Sequence, residues 1–219
     1  MIVYRPVRTN RLTQKFAENN ACAKVTWNGS PVRPFKIKSK VNGVCPVGYK
    51  PFYPMIGLKG HNGQDNGTYH GEPCYFPVLI EGMTWTAKTE VDRDGGIGVD
   101  VISDKPIALG DLTAHIKFRF WHLKRVNVYD GQKIRLGQLI GYCDSTGASS
   151  GDHLHWAMKR CDAEGNTYNT ANGYSGAVDF SDWYVNQFVL DTMGQTRDDL
   201  IAYIKHQLAT LTAQLSKLQ

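Results

Sequence analysis

The 219-residue chain is 42% hydrophobic and 21% charged, which excludes a disordered protein and allows one well-buried domain or a domain with appendages. Its formal net charge of +5 favours encounter with an anionic surface such as a cell wall, and is too small to indicate nucleic-acid binding. The 22 glycines and the 11% of aromatic residues are typical of a turn-rich β protein rather than a helical one.

The chain begins with eight residues, Met1 to Arg8, that contain neither the apolar run nor the cleavage site of a secretory signal. No apolar run approaches the length that spans a bilayer. We therefore expect no membrane span and no export through a secretory signal.

Three parts are predicted along the chain. Residues 1–60 are expected to form an N-terminal strand, at 11–16, and an irregular insertion packed on the core, because five prolines between positions 31 and 54 disfavour a central strand or a long helix. Residues 61–195 are expected to form the core, and residues 196–219 a C-terminal amphipathic helix.

The cysteines are odd in number and irregularly spaced, without a Cys-x-x-Cys pair: Cys22, Cys45, Cys74, Cys143 and Cys161. This pattern fits reduced, packed thiols at least as well as a disulfide framework, and it argues against a cysteine zinc knuckle.

The strongest strand patterns lie between residues 61 and 160. Apolar residues run through 74–80, polar and apolar residues alternate in 96–102 and 115–123, and a short apolar segment at 139–143 follows a turn at 130–132. Closely spaced strands with turn residues between them predict a mainly β fold built of antiparallel sheets. Residues 161–195 give no clear local prediction.

The C-terminal segment has the pattern of a helix. Thr196 and Asp199 resemble a capping box. An apolar residue then recurs every three or four positions: Ile201, Ile204, Leu208, Leu211, Leu215 and Leu218. This heptad seam leaves two interpretations open, a helix docked on its own domain or a short coiled coil that forms an oligomer or joins a larger assembly.

The first candidate site lies in residues 147–156, where a Gly/Ser/Asp loop leads into a strand. Side chains alternate along a strand, so His153 and His155 share one face and Leu154 faces the other. Two imidazoles on one side of a rigid element offer nitrogen ligands to a transition metal. The alternative is a pair of exposed histidines without function.

A second candidate is the segment His61 to Asp65, with a nitrogen ligand and an oxygen ligand four positions apart. Gly63 lets the backbone bend so that both side chains can converge. Together with the His-x-His pair, three ligands of N, N and O type and a fourth position for water are the composition of a catalytic zinc site.

Four motifs follow one another in order: residues 59–65, residues 121–123, residues 136–141 with 145–147, and residues 153–155. They resemble the lysostaphin-like (M23) family of zinc metallopeptidases, which are peptidoglycan endopeptidases. The resemblance covers residues 61–160, and residues 13–16 are similar to the short strand that often precedes such a domain.

The resemblance implies antiparallel sheets forming a groove with one Zn²⁺ ion, bound by His61, Asp65 and His155. It implies that His122 and His153 are catalytic, as general base and as donors to the developing oxyanion and leaving amine. The implied substrate is a peptide bond of bacterial peptidoglycan, in a cross-bridge or a stem peptide.

From strand alternation, His122 is expected on the same face as Phe118 and Phe120, pointing into the structure. His70 and His115 receive no role, and His115 is expected to face solvent beside Lys117.

Several residues depart from the family pattern. Trp121 stands where a small residue is usual, Asp152 replaces a common proline, Asn66 an apolar residue and Asp144 a frequent glycine. The segment 17–60 is longer than usual and is expected to cover or narrow the groove. These departures concern groove shape and substrate preference, not the ligands.

The leading hypothesis is a zinc endopeptidase of the cell wall, such as a phage lysin or a virion-associated hydrolase. The alternatives are a catalytically inactive M23-like binding or regulatory module, and a structural tail component that assembles through residues 196–219.

Overall fold

The computed structural model describes residues 1–25, 35–92, 94–110 and 112–192. The predicted C-terminal helix at 196–219 lies outside these residues. Within the described ranges, no helix has the length and apolar character needed to cross a membrane.

The described chain is mainly β, as predicted. Its strands are β1 (Ile2–Arg5), β2 (Leu12–Gln14), β3 (Ala21–Val25), β4 (Phe35–Ser39), β5 (Lys50–Pro51), β6 (Gln64–Gly67), β7 (Pro73–Tyr75), β8 (Val78–Leu79), β9 (Trp85–Asp92), β10 (Gly96–Ser103), β11 (Ile107–Leu109), β12 (Leu112–Val126), β13 (Lys133–Ile134), β14 (Leu139–Cys143), β15 (His153–Cys161), β16 (Ala177–Val178) and β17 (Tyr184–Phe188). The helical elements are α1 (Phe52–Met55) and 3-10 turns at Thr170–Asn172, Ser181–Trp183 and Val189–Thr192.

The central sheet has the strand order β13-β9-β10-β12-β15-β6-β2, with antiparallel neighbours. Strands β9, β10, β12 and β15 are its longest members, with eight to fifteen residues each, because their alternating sequences can bury one face. The core face carries aromatic and other apolar side chains that are fully buried: Val99, Val101, Phe118, Phe120, Leu154, Trp156 and Met158.

The core face is covered by the two ends of the described chain. Strand β1 pairs in parallel with β17 and antiparallel with β8, and Val3 and Phe180 join the main core cluster. The Trp156 ring lies 4.7 Å from Phe180 and 5.9 Å from Tyr184. Residues 161–192, which had no clear local prediction, therefore close one side of the core.

The insertion forms a small antiparallel sheet of its own, in the order β4-β3-β5. A disulfide joins Cys22 to Cys45, with Cα atoms 5.7 Å apart, whereas Cys74, Cys143 and Cys161 are free and buried. The cysteine pattern had left disulfide-bonded cysteines and reduced thiols both open, and this chain contains both. The pairing depends on how the insertion folds, which spacing alone does not reveal.

Candidate active site

His61, Asp65 and His155 converge on one point. Strand β6 pairs antiparallel with β15 so that Asp65 lies directly opposite His155, and directly opposed residues share a sheet face. His61 Nε2 and His155 Nδ1 lie 3.1 and 2.9 Å from Asp65 Oδ1, and the two nitrogens are 3.0 Å apart. All three residues are buried.

Gly63 is required by this convergence. A Cβ atom on Gly63 would lie 2.7 Å from His155 Cε1 and 2.6 Å from the carbonyl oxygen of Trp156. Any side chain here would therefore displace the imidazole or the strand.

Hydrogen bonding and burial favour metal binding by Asp65 and His155. At His61 burial lowers the pKa, but the charge of Asp65 outweighs it and raises the pKa above its ordinary value, so a metal ion would displace a proton from this ring. His61 Nδ1 lies 3.0 Å from the carbonyl oxygen of Lys15 and can donate to it, which leaves Nε2 for the convergence point. Burial opposes ionisation of Asp65, but His61 and hydrogen bonds from His155 and His61 hold the pKa of Asp65 well below its usual range. Burial lowers the pKa of His155 to about 4 despite Asp65. A carboxylate and a neutral imidazole are the protonation states that bind metal.

This donor set fits a zinc ion. Two imidazole nitrogens and one carboxylate oxygen are zinc ligands of catalytic sites, and the three atoms already lie within 3.1 Å of one another. A second group, His70, Asp144 and Asp152, also brings potential ligand atoms together. There, however, His70 Nε2 lies 3.0 Å from the ammonium of Lys124, and a cation beside the group opposes binding of another.

His122 and His153 lie beside the convergence point. Their rings are 4.6 Å apart, and His122 is 6.0 Å from the His155 ring. The Nδ1 atoms of His122 and His153 lie 2.7 and 2.8 Å from the carbonyl oxygens of Thr146 and Gly151. Donation to these oxygens leaves each Nε2 to accept a proton.

His122 remains unprotonated at neutral pH. Burial, with His153 and His155 close by, lowers the pKa of His122 to about 3. A neutral imidazole is the form that can take up a proton.

His122 is buried, as predicted, but the predicted strand face was wrong. Trp121 and His122 both line the cleft, whereas Phe120 and Leu123 lie in the core. His122 has a left-handed backbone with φ of 63°, and the β10–β12 register shifts beside it, between Ile97 and Val99. This local irregularity breaks strict alternation and turns the imidazole towards the cleft.

The structure also accommodates Trp121, the departure nearest to the site. Cβ atoms on Gly95 and Gly98 would each lie 2.4 Å from the Trp121 ring, so both glycines leave space for the indole. The Arg119 guanidinium lies over the same ring, 5.0 Å from its centroid. Trp121 therefore forms part of the floor of the cleft next to His122.

Two other residues that depart from the family pattern, Asn66 and Asp144, contact residues outside the ligand set. Asn66 is buried and its Oδ1 accepts a hydrogen bond from Trp156 Nε1 at 2.9 Å. Asp144 lies 3.1 Å from His70 Nδ1. His115 is half-buried rather than solvent-facing, with Nδ1 2.7 Å from the carbonyl oxygen of Ser103.

A cleft of about 370 Å³ contains the five histidine and aspartate residues predicted as site residues. The insertion lines one wall with Phe52, Tyr53 and Ile56, and the Tyr53 ring is 6.0 Å from His61. Sequence reasoning missed Tyr53, Arg119 and Lys159 as cleft residues. Of these three, only Lys159 could have been indicated by the sequence, because strand alternation puts it on the face of His155.

Residues 95–170 match the model of Peptidase family M23. The resemblance to M23 peptidases is confirmed. The matched segment is about a third of the chain and includes His122, His153 and His155. His61 and Asp65 precede this segment. Asp65 lies on β6, the strand that pairs with β15, and His61 lies just before β6.

Solved structures of similar proteins include the catalytic domain of the antimicrobial peptidase lysostaphin from Staphylococcus simulans, with 21% identity over 55% of this chain and 76% of that chain and a TM-score of 0.38. The catalytic domain of the prophage-encoded M23 protein EnpA from Enterococcus faecalis, solved as a mutant, has 21% identity over 52% of this chain and 78% of that chain, with a TM-score of 0.35. A zinc-containing peptidase from Vibrio cholerae has 22% identity over 73% of this chain and 39% of that chain, with a TM-score of 0.38. The comparison with curated proteins found no match.

Proposed function

We propose that this protein is a zinc-dependent endopeptidase that hydrolyses a peptide bond of bacterial peptidoglycan, in a cross-bridge or a stem peptide. The observation that carries the proposal is the convergence of His61 Nε2, Asp65 Oδ1 and His155 Nδ1 within 3.1 Å of one another, in a cleft that also holds His122 and His153. The match of residues 95–170 to the M23 model supports the reaction class.

In this proposal His61, Asp65 and His155 hold the zinc ion. The bound ion would supply Lewis acidity, polarising the substrate carbonyl and lowering the pKa of a bound water to roughly 7. The burial of the three side chains excludes bulk water from the ligand atoms, which strengthens their interaction with a cation.

His122 and His153 act in proton transfer. Each has its Nδ1 beside a backbone carbonyl oxygen, so each presents Nε2 as the nitrogen that takes a proton from the nucleophile or returns one to the leaving amine. The 4.6 Å between their rings supports action of both on one scissile peptide bond, and an N–H donated by either ring would stabilise negative charge on the oxyanion.

The test is digestion of purified peptidoglycan by the zinc-loaded protein, with mass analysis of the released fragments. We expect new amino and carboxyl ends that identify the bond, and release about 10²–10⁴-fold slower by His122→Ala. His70→Ala is the matched control, because His70 is exposed and outside the cleft. Absence of any release by the zinc-loaded wild type would contradict the proposal and favour an inactive binding module.

A further inference from the structure

The floor of the cleft continues beyond the metal-ligand residues as a ladder of cross-strand pairs. On β12 and β15, Trp121 pairs with His155, Arg119 with Ala157 and Lys117 with Lys159. Opposed residues share a sheet face. These three pairs therefore lie one after another on the face of His155, at increasing distance from it.

One carboxylate serves two of the cations in this ladder. Asp100, on β10 opposite Arg119, accepts hydrogen bonds of 2.7 Å from Arg119 Nε and Nη2. Its Oδ2 also accepts a bond of 2.8 Å from Lys117 Nζ, and Lys117 donates further to the carbonyl oxygen of Gly165. The bidentate guanidinium pair and the ammonium bond together occupy both oxygens of Asp100.

Lys159 has no carboxylate of its own among the described residues. Its residue is 5% exposed, and its Nζ donates one hydrogen bond, to the carbonyl oxygen of Ser175 at 2.9 Å. An ammonium has three donors. Asp92, a cleft residue whose charge also acts on Lys159, is exposed to solvent, and its Oδ1 accepts bonds from backbone amides.

A buried ammonium directly across from another ammonium is unfavourable, because like charges opposed on adjacent strands repel and burial removes their hydration. Lys159 nevertheless lines the open cleft, together with Arg119 and Ser175. A negatively charged group that entered the cleft would relieve this repulsion and satisfy the remaining donors of Lys159.

We infer that Lys159, with Arg119 beside it, forms a subsite for a carboxylate of the peptide substrate. The inference rests on the proposed peptidase function and specifies its substrate class: a peptide that carries a free carboxylate close to the bond that is cut.

The distance along β15 defines where the carboxylate lies. Lys159 is four residues beyond His155, and a strand rises about 3.3 Å per residue, so the two side chains are separated by about 13 Å. A peptide lying extended in the cleft spans the same distance in about four residues. The acidic residue is therefore within about four positions of the scissile bond.

Binding measurements test the subsite without requiring catalysis. The probes are alanine–glycine pentapeptide amides with a single Glu at each position in turn, and the same peptides with Gln. A buried charge-assisted contact predicts that the best Glu peptide binds wild-type protein about tenfold or more tightly than its Gln counterpart. Lys159→Met is expected to abolish this difference, and Lys159→Arg to retain most of it.

Two controls separate this role from others. Lys105→Met removes an exposed lysine outside the cleft and is expected to leave the preference unchanged. Lys159→Met is expected to be as stable as wild type in thermal unfolding, because an apolar side chain of similar volume replaces a buried charge without a carboxylate partner. Carboxylate binding at the metal alone would give the same preference in Lys159→Met, and that result would overturn the inference.

Peptidoglycan digestion distinguishes failure of the subsite inference from failure of the proposed peptidase function. On peptidoglycan whose carboxylates have been chemically amidated, wild-type protein is expected to release fragments about tenfold more slowly than on the untreated polymer, and Lys159→Met to digest both at similar rates. If neither polymer is digested, the proposed function fails while the binding result still decides the subsite. Absence of any Glu preference in binding overturns the subsite whatever the digestion shows.

Discussion

The shared carboxylate of Asp100 makes Asp100→Asn the most informative stability test of the cleft floor. The Asp100 side chain is 1% exposed, and its ion-pair partners Lys117 and Arg119 are 4% and 20% exposed. Asparagine has the same shape but no charge, so the substitution leaves the buried Lys117 and the partly buried Arg119 without their counter-ion. Breaking a buried ion pair in this way costs about 3–5 kcal/mol.

The effect is large enough to measure by thermal unfolding. For a domain of this size each kcal/mol lowers the Tm by about 2–4 °C, so Asp100→Asn is expected to lower it by roughly 6–20 °C. Asp182→Asn, which neutralises an exposed carboxylate, is the matched control with no expected change. A Tm of Asp100→Asn within about 2 °C of wild type would refute the account of a buried, shared counter-ion.

The ion pairs of Asp100 with Lys117 and Arg119 also predict that the stability of the protein depends on pH. Burial opposes ionisation of Asp100, but its bonds to Arg119 and the charges of Arg119 and Lys117 hold the pKa of Asp100 below its ordinary value. A lowered folded-state pKa contributes stability that is fully present above the unfolded-state pKa of about 3.9 and is lost as pH falls through the folded-state value. The stability difference between wild type and Asp100→Asn should therefore be full at pH 7 and shrink below about pH 4. A difference that stays constant down to acid unfolding would contradict this origin.

Three further predictions concern the site and its support. His155→Ala is expected to lose bound zinc, measured as metal per protein by elemental analysis after dialysis, whereas wild type retains one ion; equal zinc in both would exclude His155 as a ligand. His122→Ala is expected to keep its zinc but to lower kcat about 10²–10⁴-fold in peptidoglycan digestion, as loss of a proton-transfer group does, and a smaller fall would remove it from that role. Gly98→Ala would place a Cβ 2.4 Å from the Trp121 ring and is expected to cost about 1–3 kcal/mol in denaturant unfolding. Gly151→Ala, where a Cβ meets no atom within 4 Å, is the control, and equal stability of the two variants would show that the indole moves freely.

Much of the sheet could be predicted from local pattern. Alternation in 96–102 and 115–123 predicted β10 and β12, and the turn at 130–132 separates strands as expected. These segments are predictable because one buried face imposes a two-residue period on the sequence. The short strands of the insertion and of residues 161–192 escaped prediction, since pairing with distant segments, rather than their own pattern, fixes them.

The positions of the charged residues on β12 show where alternation was insufficient. It placed Lys117 and Arg119 correctly on the face opposite Phe118 and Phe120, but this face is not open to solvent. Lys117 is 3% exposed because the loop containing Gly165 covers it. Which face a residue takes is a local property, whereas what covers that face is decided by the rest of the chain.

The sequence by itself predicted the mainly β class, because strand period is a property of short segments. Its motifs also gave the resemblance to M23 peptidases, and that resemblance named the five candidate site residues. Only the tertiary structure decided that β6 pairs with β15 to bring Asp65 within 2.9 Å of His155, and that a left-handed residue turns His122 into the cleft. It also decided that Lys159 lies beside cations whose one carboxylate is already engaged. Pairing register, backbone irregularity and burial depend on contacts between segments far apart in the chain, so no local pattern contains them.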